Sequence, residues 1–146
     1  MKVKGFNRVE LIVREDQIQD AVKQFNDLLG LKLPKPIPIQ GQPVWSSTDF
    51  DGGLEFVAPV EGQGPFAQRL AEHGAGQIGP LVWEIEDANA AREWLLARGY
   101  RIFFEYDSSQ GNAAEAHTPV HQLVLDPEQW FGFLVTLMER KGARPD

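Results

Sequence analysis

The stretch VELIVREDQIQDAVKQFNDLLG (residues 9–30) and the stretch LVWEIEDANAAREWLLARG (residues 81–99) share one plan. Each begins with an apolar run of strand length, continues into a Glu-Asp pair, and then shows apolar residues at helical spacing before a glycine. Asp16 and Asp87 are predicted to cap the two helices. A unit that occurs twice in one chain indicates two modules that bury a common core.

Further strands are predicted after each helix. The segments VWSSTDF (44–50) and GLEFVAP (53–59) flank Asp51-Gly52, a dipeptide that favours tight hairpin turns. The stretch before them is expected to be extended, because its prolines between residues 32 and 43 exclude a regular helix. In the second half, strands are predicted at 100–106, 120–126 and 131–139.

A helix over 65–74, with proline at its start and glycine at its end, is predicted to connect the two halves. We therefore expect a single α+β domain over residues 1–146, built from two tandem βαβββ modules. Module one is expected at about 4–61, the connecting helix at about 64–75 and module two at about 78–140.

Composition excludes several functions. The chain has no cysteine, so disulfides, a thiolate nucleophile and cysteine-ligated zinc are excluded. Its 14 basic and 21 acidic residues give a net charge of −7, which disfavours nucleic acid because phosphate is repelled. No apolar run approaches the roughly 18 residues that cross a bilayer, and charged residues interrupt any secretory leader at the start. We therefore expect a cytoplasmic protein whose partner is neither a membrane nor a nucleic acid.

The order of strand, helix and three strands, present twice with a helical connector, resembles the vicinal oxygen chelate superfamily. That superfamily includes glyoxalases, bleomycin-resistance proteins and extradiol dioxygenases. The likeness is strongest to its methylmalonyl-CoA epimerase and glyoxalase-like branch, and it is carried by LEFVAPVEGQGPFAQRLAEHGAGQIGPLVWEIEDANAAREWLLARGYRI (54–102). The resemblance implies that the modules form a half-open β cup, the glyoxalase-like fold, and that the protein is a homodimer.

The resemblance also implies where a metal would lie. Members of the superfamily hold a divalent metal in the cup with four ligands, typically His, Glu or Gln, His and Glu. The matching positions here are Arg8, Glu55, Pro80 and Thr136. Only Glu55 has a side chain suited to a metal, because arginine cannot donate a lone pair and proline has no side-chain ligand. The sequence therefore predicts no metal and no other cofactor.

Strand alternation and family geometry place Arg8, Glu10, Glu55, Glu84 and Thr136 on the face that lines the cup. In one interpretation Arg8 anchors a carboxylate, phosphate or carbonyl of a ligand, Glu84 and Thr136 also contact that ligand, and Glu10, Glu55 or Glu84 acts as the base. In the other, Arg8 replaces the lost cation in a structural salt-bridge network with Glu10 and Glu55. The sequence leaves both interpretations open.

Three other positions are candidates for ligand contact or metal binding. Trp45 is predicted near the mouth of the cup, where it could stack on a flat ligand. His121 and Gln122 open a cup strand, and whichever faces inward is expected to contact the ligand. A replacement metal site of Glu115, His117 and His121 is disfavoured, because Pro119 prevents the helix that would align them.

The leading functional hypothesis is a metal-independent protein of this superfamily that binds a small acidic or carbonyl-bearing organic ligand in the cup. A second hypothesis is a lyase or isomerase of glyoxalase or epimerase type that moves protons with the carboxylates of Glu10 and Glu55. A third is a protein that sequesters a toxic aromatic compound, and a fourth is a purely structural subunit. The fold alone does not choose among them.

Overall fold

The computed structural model describes residues 1–39, 41–110 and 119–142. Within these residues the chain forms an α+β fold, and its elements follow the order β1 (Val3–Ile12), α1 (Ile18–Leu29), β2 (Ile37–Pro38), β3 (Val44–Asp49), β4 (Leu54–Pro59), α2 (Gly64–His73), β5 (Gln77–Ile85), α3 (Ala88–Leu96), β6 (Ile102–Asp107), β7 (Val120–Leu125) and β8 (Val135–Arg140). The order βαβββ occurs before and after α2, so the predicted fold class is confirmed. Across the described residues, no helix combines the length and the apolarity needed to cross a membrane.

The chain divides into two compact units, which are described separately. The first unit is Arg8–Gly79, and the second unit is Met1–Asn7 together with Pro80–Asp146. In the first unit the strands are ordered β2-β3-β4-β1, with β1 parallel to β4 and the other neighbours antiparallel. Residues 3–7 of β1 belong to the second unit. The strand order there is β1-β5-β8-β7-β6, with β5 parallel to β8.

The core of the first unit lies between α1 and one face of its strands. Ile18 and Val22 of α1 are buried against Phe56 and Ala58 of β4. Phe25 meets Phe56 edge to face, with 4.8 Å between ring centres. Because side chains alternate along a strand, the residues between these point to the opposite face. We call that opposite face the polar face of the first unit; its strand residues are Arg8, Glu10, Ile12, Ile37, Val44, Ser46, Thr48, Glu55, Val57 and Pro59.

The core of the second unit lies between α3 and its strands. Ala91 and Leu95 of α3 pack against Leu123 of β7 and Leu137 of β8. Asp87 caps α3 as predicted, because its side chain accepts a hydrogen bond from the Ala90 N–H.

Several predicted boundaries differ from the structure; β6, for example, begins at Ile102 and not at residue 100. The residue at the N-cap of α1 is Gln17 and not Asp16, because the Asp16 carboxylate pairs with Arg14 at 3.1 Å. β8 begins at Val135 and not at residue 131, because Phe131 and Gly132 both have positive φ, which breaks an extended strand.

Candidate functional site

A buried arginine lies on the polar face of the first unit, flanked by two glutamates. The side chain of Arg8 is 1% exposed. Its Nη2 donates a hydrogen bond to Oε2 of Glu10 at 3.3 Å, and its Nε lies 3.4 Å from Oε1 of Glu55. Its guanidinium carbon lies 5.2 Å from the centre of the Phe50 ring. We call Arg8, Glu10 and Glu55 the Arg8 cluster.

The strand register assembles this cluster. Glu10 of β1 pairs directly with Glu55 of β4, and Glu55 pairs with Thr48 of β3 on its other side. The Thr48 hydroxyl donates a hydrogen bond to Oε1 of Glu55. Ser46 Oγ lies 3.4 Å from Thr48 Oγ1, and both residues are buried. The polar side chains therefore form one connected row across three strands.

Burial raises the pKa of Glu10 well above its usual 4.5. The negative charge of Glu55 and a hydrogen bond between the two carboxyl groups raise it further, while the Arg8 guanidinium lowers it. Folding therefore favours the protonated form of Glu10, which lies beside the Arg8 guanidinium.

The cluster places hydrogen-bond donors next to a side chain that can act as a base. Arg8 and the protonated form of Glu10 can each donate a hydrogen bond to an oxygen, and the carboxylate form of a glutamate such as Glu55 can accept a proton. A carbonyl oxygen that meets the two donors is polarised, and a C–H bond beside that carbonyl then becomes more acidic. The arrangement suits proton removal next to a carbonyl.

The donor set of this cluster does not fit a divalent metal. Two carboxylates are near each other, but the Arg8 guanidinium lies within 3.4 Å of both and already supplies the positive charge. A metal ion held by the same oxygens would lie against this like charge. In the described part of the chain, no group of three or more His, Cys, Asp and Glu side chains is arranged to hold a metal.

Glu84 and Thr136 lie in the second unit, on the face of its strands that points away from α3. Val82 pairs with Thr136, and Glu84 pairs with Met138, so these four side chains share that face. Thr136 is fully buried, and Oε1 of Glu84 lies 3.6 Å from Nζ of Lys4. That Glu84 and Thr136 contact a ligand stays a prediction.

His121 lies on the α3 side of the second unit, and Gln122 is the residue that shares the face of Glu84. The register shows this, because Gln122 pairs with Met138. His121 is buried, with its Nε2 2.6 Å from Glu105 and its Nδ1 3.8 Å from Asp107. The sequence left the choice between His121 and Gln122 open, and the structure selects Gln122 for that face. Glu115 and His117 lie outside the described residues.

Trp45 does not lie on the polar face, in contrast to its predicted position at a ligand site. It pairs with Ala58 and packs against the α1 core, and its Nε1 donates a hydrogen bond to Oε1 of Glu15 at 3.0 Å. The neighbouring Ser46 takes the polar face instead, because adjacent strand residues point in opposite directions.

Thr48 and Ser46 are the site residues that the sequence interpretation missed. The signal was present in the Asp51-Gly52 turn, since Thr48 and Glu55 are equally distant from its centre and must pair in a two-stranded hairpin. The predicted turn is therefore sufficient to predict the pairing of Thr48 with Glu55.

The first unit also has an open groove of about 1010 Å³ away from the Arg8 cluster. It lies beside the turn between β1 and α1, the end of β4 and helix α2; its lining includes Arg14, Glu15, Asp16, Pro59, Glu61 and Gln68. Arg8, Glu10 and Glu55 are not among its lining residues, so the groove and the cluster are separate features.

Thr48→Val is expected to lower the free energy of unfolding by about 1.5–3 kcal/mol, because it leaves the buried Glu55 carboxylate without its hydroxyl donor at nearly unchanged volume. Thr48→Ser keeps the hydroxyl and loses one methyl group, which costs about 0.8 kcal/mol. Urea denaturation of both variants measures the difference. A smaller loss of unfolding free energy in Thr48→Val than in Thr48→Ser would contradict the role of this hydrogen bond.

Two βαβββ modules in one chain define a class of α+β protein. In this chain a buried ionisable cluster lies on one strand face. The chain belongs to the Glyoxalase/Bleomycin resistance protein/Dioxygenase superfamily, whose model matches residues 7–119. It is 31% identical over 134 residues to the ethylmalonyl-CoA/methylmalonyl-CoA epimerase of Cereibacter sphaeroides, with 90% of this chain and 94% of that protein covered.

Solved structures of epimerases have the same fold. The crystal structure of methylmalonyl-CoA epimerase from Mycobacterium tuberculosis superposes with a TM-score of 0.77 at 20% identity, covering 96% of this chain and 90% of that one. A methylmalonyl-CoA epimerase in complex with methylmalonyl-CoA and ammonium gives a TM-score of 0.77 at 15% identity, covering 99% and 100%. At these identities the structures show the fold and leave the ligand of this chain undetermined.

Proposed function

We propose that the protein is a metal-independent member of the superfamily that binds a small carbonyl-bearing organic ligand, acidic or neutral, and removes a proton beside that carbonyl. The observation that carries the proposal is the buried contact of one arginine with two glutamates, Arg8 with Glu10 and Glu55. Arg8 and Glu10 bind the carbonyl oxygen, and Glu55 is the base.

The metal-independent part of the proposal rests on charge. In an enolisation the developing negative charge on the carbonyl oxygen needs a positive partner, and a metal ion often supplies it. Arg8 is a permanent cation held in a dry site, where its interaction with an oxyanion is stronger than in water. Arg8 therefore takes the role that a metal would otherwise have.

The ligand class follows from the relative as well as from the cluster. The 31% identical relative is named for ethylmalonyl-CoA and methylmalonyl-CoA. Each of these compounds carries an acidic C–H between a thioester carbonyl and a carboxylate, and a carboxylate base such as Glu55 can remove a proton of this kind. We propose a short acyl thioester of this type as the ligand.

Hydrogen exchange in heavy water tests the proposal. The purified protein is treated with EDTA and incubated with methylmalonyl-CoA, and mass spectrometry follows deuterium at the acidic carbon. We expect exchange above the protein-free rate, and a loss of at least about 100-fold in Glu55→Gln, the size of a general base effect. The exposed Glu72→Gln on α2 is the matched control and should keep the full rate.

Two results would contradict the proposal. One is exchange that appears only after a divalent metal is added, which would end the metal-independent part. The other is exchange at an unchanged rate in Glu55→Gln, which would remove the base. Binding is measured in parallel by the ligand-induced shift in thermal unfolding, so that a variant that fails to bind is recognised.

We also propose, by analogy with the family, that the protein is a homodimer. Light scattering coupled to size-exclusion chromatography measures its molar mass, and the mass of a single 16.4 kDa chain would contradict the proposal. The predicted cytoplasmic location stays a prediction.

A further inference from the structure

We infer that an aromatic patch on the second unit binds the same patch of a second copy of this chain. The inference names the contact surface of the proposed homodimer and rests on that part of the proposed function. It does not depend on the proposed ligand or on the proposed base. The residues of the aromatic patch are Phe6, Leu81, Trp83, Phe131, Phe133 and Val135, all in the second unit.

The strand register places the centre of the aromatic patch on the face that carries α3. Trp83 of β5 pairs with Leu137 of β8, which belongs to the core beneath α3. Leu81 pairs with Val135, two residues before each of them, so alternation gives these side chains the same face. Phe6 meets the Trp83 ring edge to face, with 5.3 Å between ring centres. Three neighbouring strands therefore contribute to one apolar surface.

Phe133 extends this surface toward the start of β8. The N–H of Leu81 donates a hydrogen bond to the carbonyl oxygen of Leu134, so the pairing with β5 already includes the residue before β8. Alternation then gives Phe133 the face of Val135. Phe133 and Phe6 are each 57% exposed. The aromatic patch therefore presents large rings to solvent beside its partly buried centre.

Phe131 projects from a loop that is tied to the start of β6. The backbone N–H of Arg101 donates to Oε1 of Gln129 at 2.7 Å, and Nε of Arg101 donates to Oδ2 of Asp126 at 2.7 Å. Nε2 of Gln129 donates to the carbonyl oxygen of Gly99 at 3.0 Å. The backbone that leads to Phe131 is therefore fixed before any partner binds, which lowers the entropy cost of association.

The conformation and the exposure of Phe131 are both costly for the chain alone. Its φ of 59° lies in the left-handed region, and among the described residues it is the non-glycine residue with positive φ. This region is unfavourable for a bulky side chain. The Phe131 side chain is also 92% exposed, so burial within its own chain offsets little of that cost. Strain that folding does not need is a sign of function, and a partner that buries the ring supplies one.

The composition of the aromatic patch favours a second copy as its occupant. Its side chains are all uncharged, although the whole chain has a net charge of −7, so the surface that covers it must be apolar too. The patch itself has the two parts that such a contact needs. Phe131 and Phe133 project, and the partly buried Leu81, Trp83 and Val135 beside them offer an apolar surface for projecting rings. A two-fold contact joins the projecting part of each copy to the receiving part of the other.

The area of the aromatic patch agrees with a two-fold contact. At the exposures of Phe6, Phe131 and Phe133, the three rings offer about 400 Å² in each copy. Mutual burial of these rings alone removes about 800 Å² from water, which is half of a standard interface. The partly buried centre of the patch adds to this area.

Sedimentation velocity over a dilution series measures the dissociation constant of the dimer for the wild type and three variants. Phe131→Asn removes the ring and keeps the backbone, because asparagine adopts the left-handed region readily. Phe133→Ser removes a second ring, at a residue without positive φ. Leu28→Gln is the matched control, since Leu28 on α1 is 80% exposed and lies outside the aromatic patch. Circular dichroism and thermal unfolding show whether each variant is folded.

We expect a wild-type dimer whose dissociation constant rises at least about 30-fold in Phe131→Asn, the effect of removing an aromatic hot spot. It should also rise in Phe133→Ser and change by less than about two-fold in Leu28→Gln.

Three results would overturn the inference. If the wild type has the mass of a single 16.4 kDa chain at every concentration, both the inference and the proposed homodimer are wrong, and the proposed ligand and base are unaffected. If a wild-type dimer is not weakened by Phe131→Asn, or by Phe133→Ser should the asparagine variant not fold, the inference alone is wrong. Equal weakening by Leu28→Gln would also overturn it, because the effect would not be specific to the aromatic patch.

Discussion

Arg8→Met is expected to lower the free energy of unfolding by about 3–5 kcal/mol, the cost of breaking a buried ion pair from one side. Methionine fills much of the volume of arginine but has no charge. Without the guanidinium, the carboxyl groups of Glu10 and Glu55 face each other in a buried site. The negative charge that the guanidinium offsets must then be neutralised by a further proton or hydrated by water, and either change costs free energy. Denaturation in urea at neutral pH measures the loss.

The control for this prediction is Arg14→Met. Arg14 pairs with Asp16 two residues along, as Arg8 pairs with Glu10, but the Arg14 side chain is 54% exposed. An exposed ion pair contributes little, so we expect a change of at most about 0.5 kcal/mol.

A triple variant separates charge from packing. Arg8→Met combined with Glu10→Gln and Glu55→Gln removes the unpaired charges and should recover most of the stability that Arg8→Met loses. If Arg8→Met costs no more than Arg14→Met, the cluster is not the buried ion network described here. If the triple variant recovers nothing, the loss comes from packing.

The stability of the protein is expected to fall with rising pH because of Glu10, and Glu10→Gln should remove this dependence. Burial, followed by the charge of Glu55, raises the pKa of Glu10 in the folded protein above its usual 4.5. Between 4.5 and the raised pKa, the folded protein holds a proton that the unfolded chain has lost. The stabilising contribution is therefore complete below pH 4.5 and is lost as the pH rises through the folded pKa, with a slope of up to about 1.4 kcal/mol per pH unit.

The measurement is the difference in unfolding free energy between the wild type and Glu10→Gln at a series of pH values. Glutamine mimics the protonated acid and does not titrate, so the difference isolates the Glu10 proton. The wild type should lose stability relative to the variant as the pH rises above 4.5. Glu72→Gln, which removes an exposed carboxylate on α2, is measured at the same pH values as the control for the loss of one carboxylate. A difference that rises with pH for Glu10→Gln would show that folding lowers the pKa of Glu10.

The sequence predicted the members of the Arg8 cluster because β1 alternates between polar and apolar residues at positions 8–11, and because the family resemblance placed Glu55 of β4 on the same face. Val9 and Leu11 are apolar and pack toward α1, so Arg8 and Glu10 had to take the other face. Both faces of this strand have a clear polarity, and a shift by one residue would bury charges against α1.

The two misplaced or undecided ligand candidates lie on strands without such alternation. In β3, Val44 and Trp45 are both apolar and adjacent, so the polarity of the strand does not identify its inner face. In β7, His121 and Gln122 are both polar and adjacent, which creates the same ambiguity. The pairing register decides these cases. For Trp45 the register follows from the hairpin turn at Asp51-Gly52, and for His121 it follows from the pairing of β7 with β6 and β8.

The error at the start of α1 has a local cause. Glu15, Asp16 and Gln17 all carry oxygens that could cap a helix, and helix boundaries shift easily by one residue. Arg14 takes the Asp16 carboxylate, while the Gln17 side chain accepts a hydrogen bond from the Arg14 N–H. Competition among neighbouring side chains therefore decides which residue caps α1, and the pattern of residue types alone does not predict that residue.

The contact between Ser46 and Thr48 extends the Arg8 cluster beyond the side chains that touch its carboxyl groups. A hydroxyl has a single hydrogen, and Thr48 gives its hydrogen to Glu55, so Ser46 is the donor to Thr48 in this arrangement. Both hydroxyl groups of β3 therefore point in one direction, toward Glu55. A serine that does not contact the carboxyl group of Glu55 thus helps to orient the hydroxyl group that does.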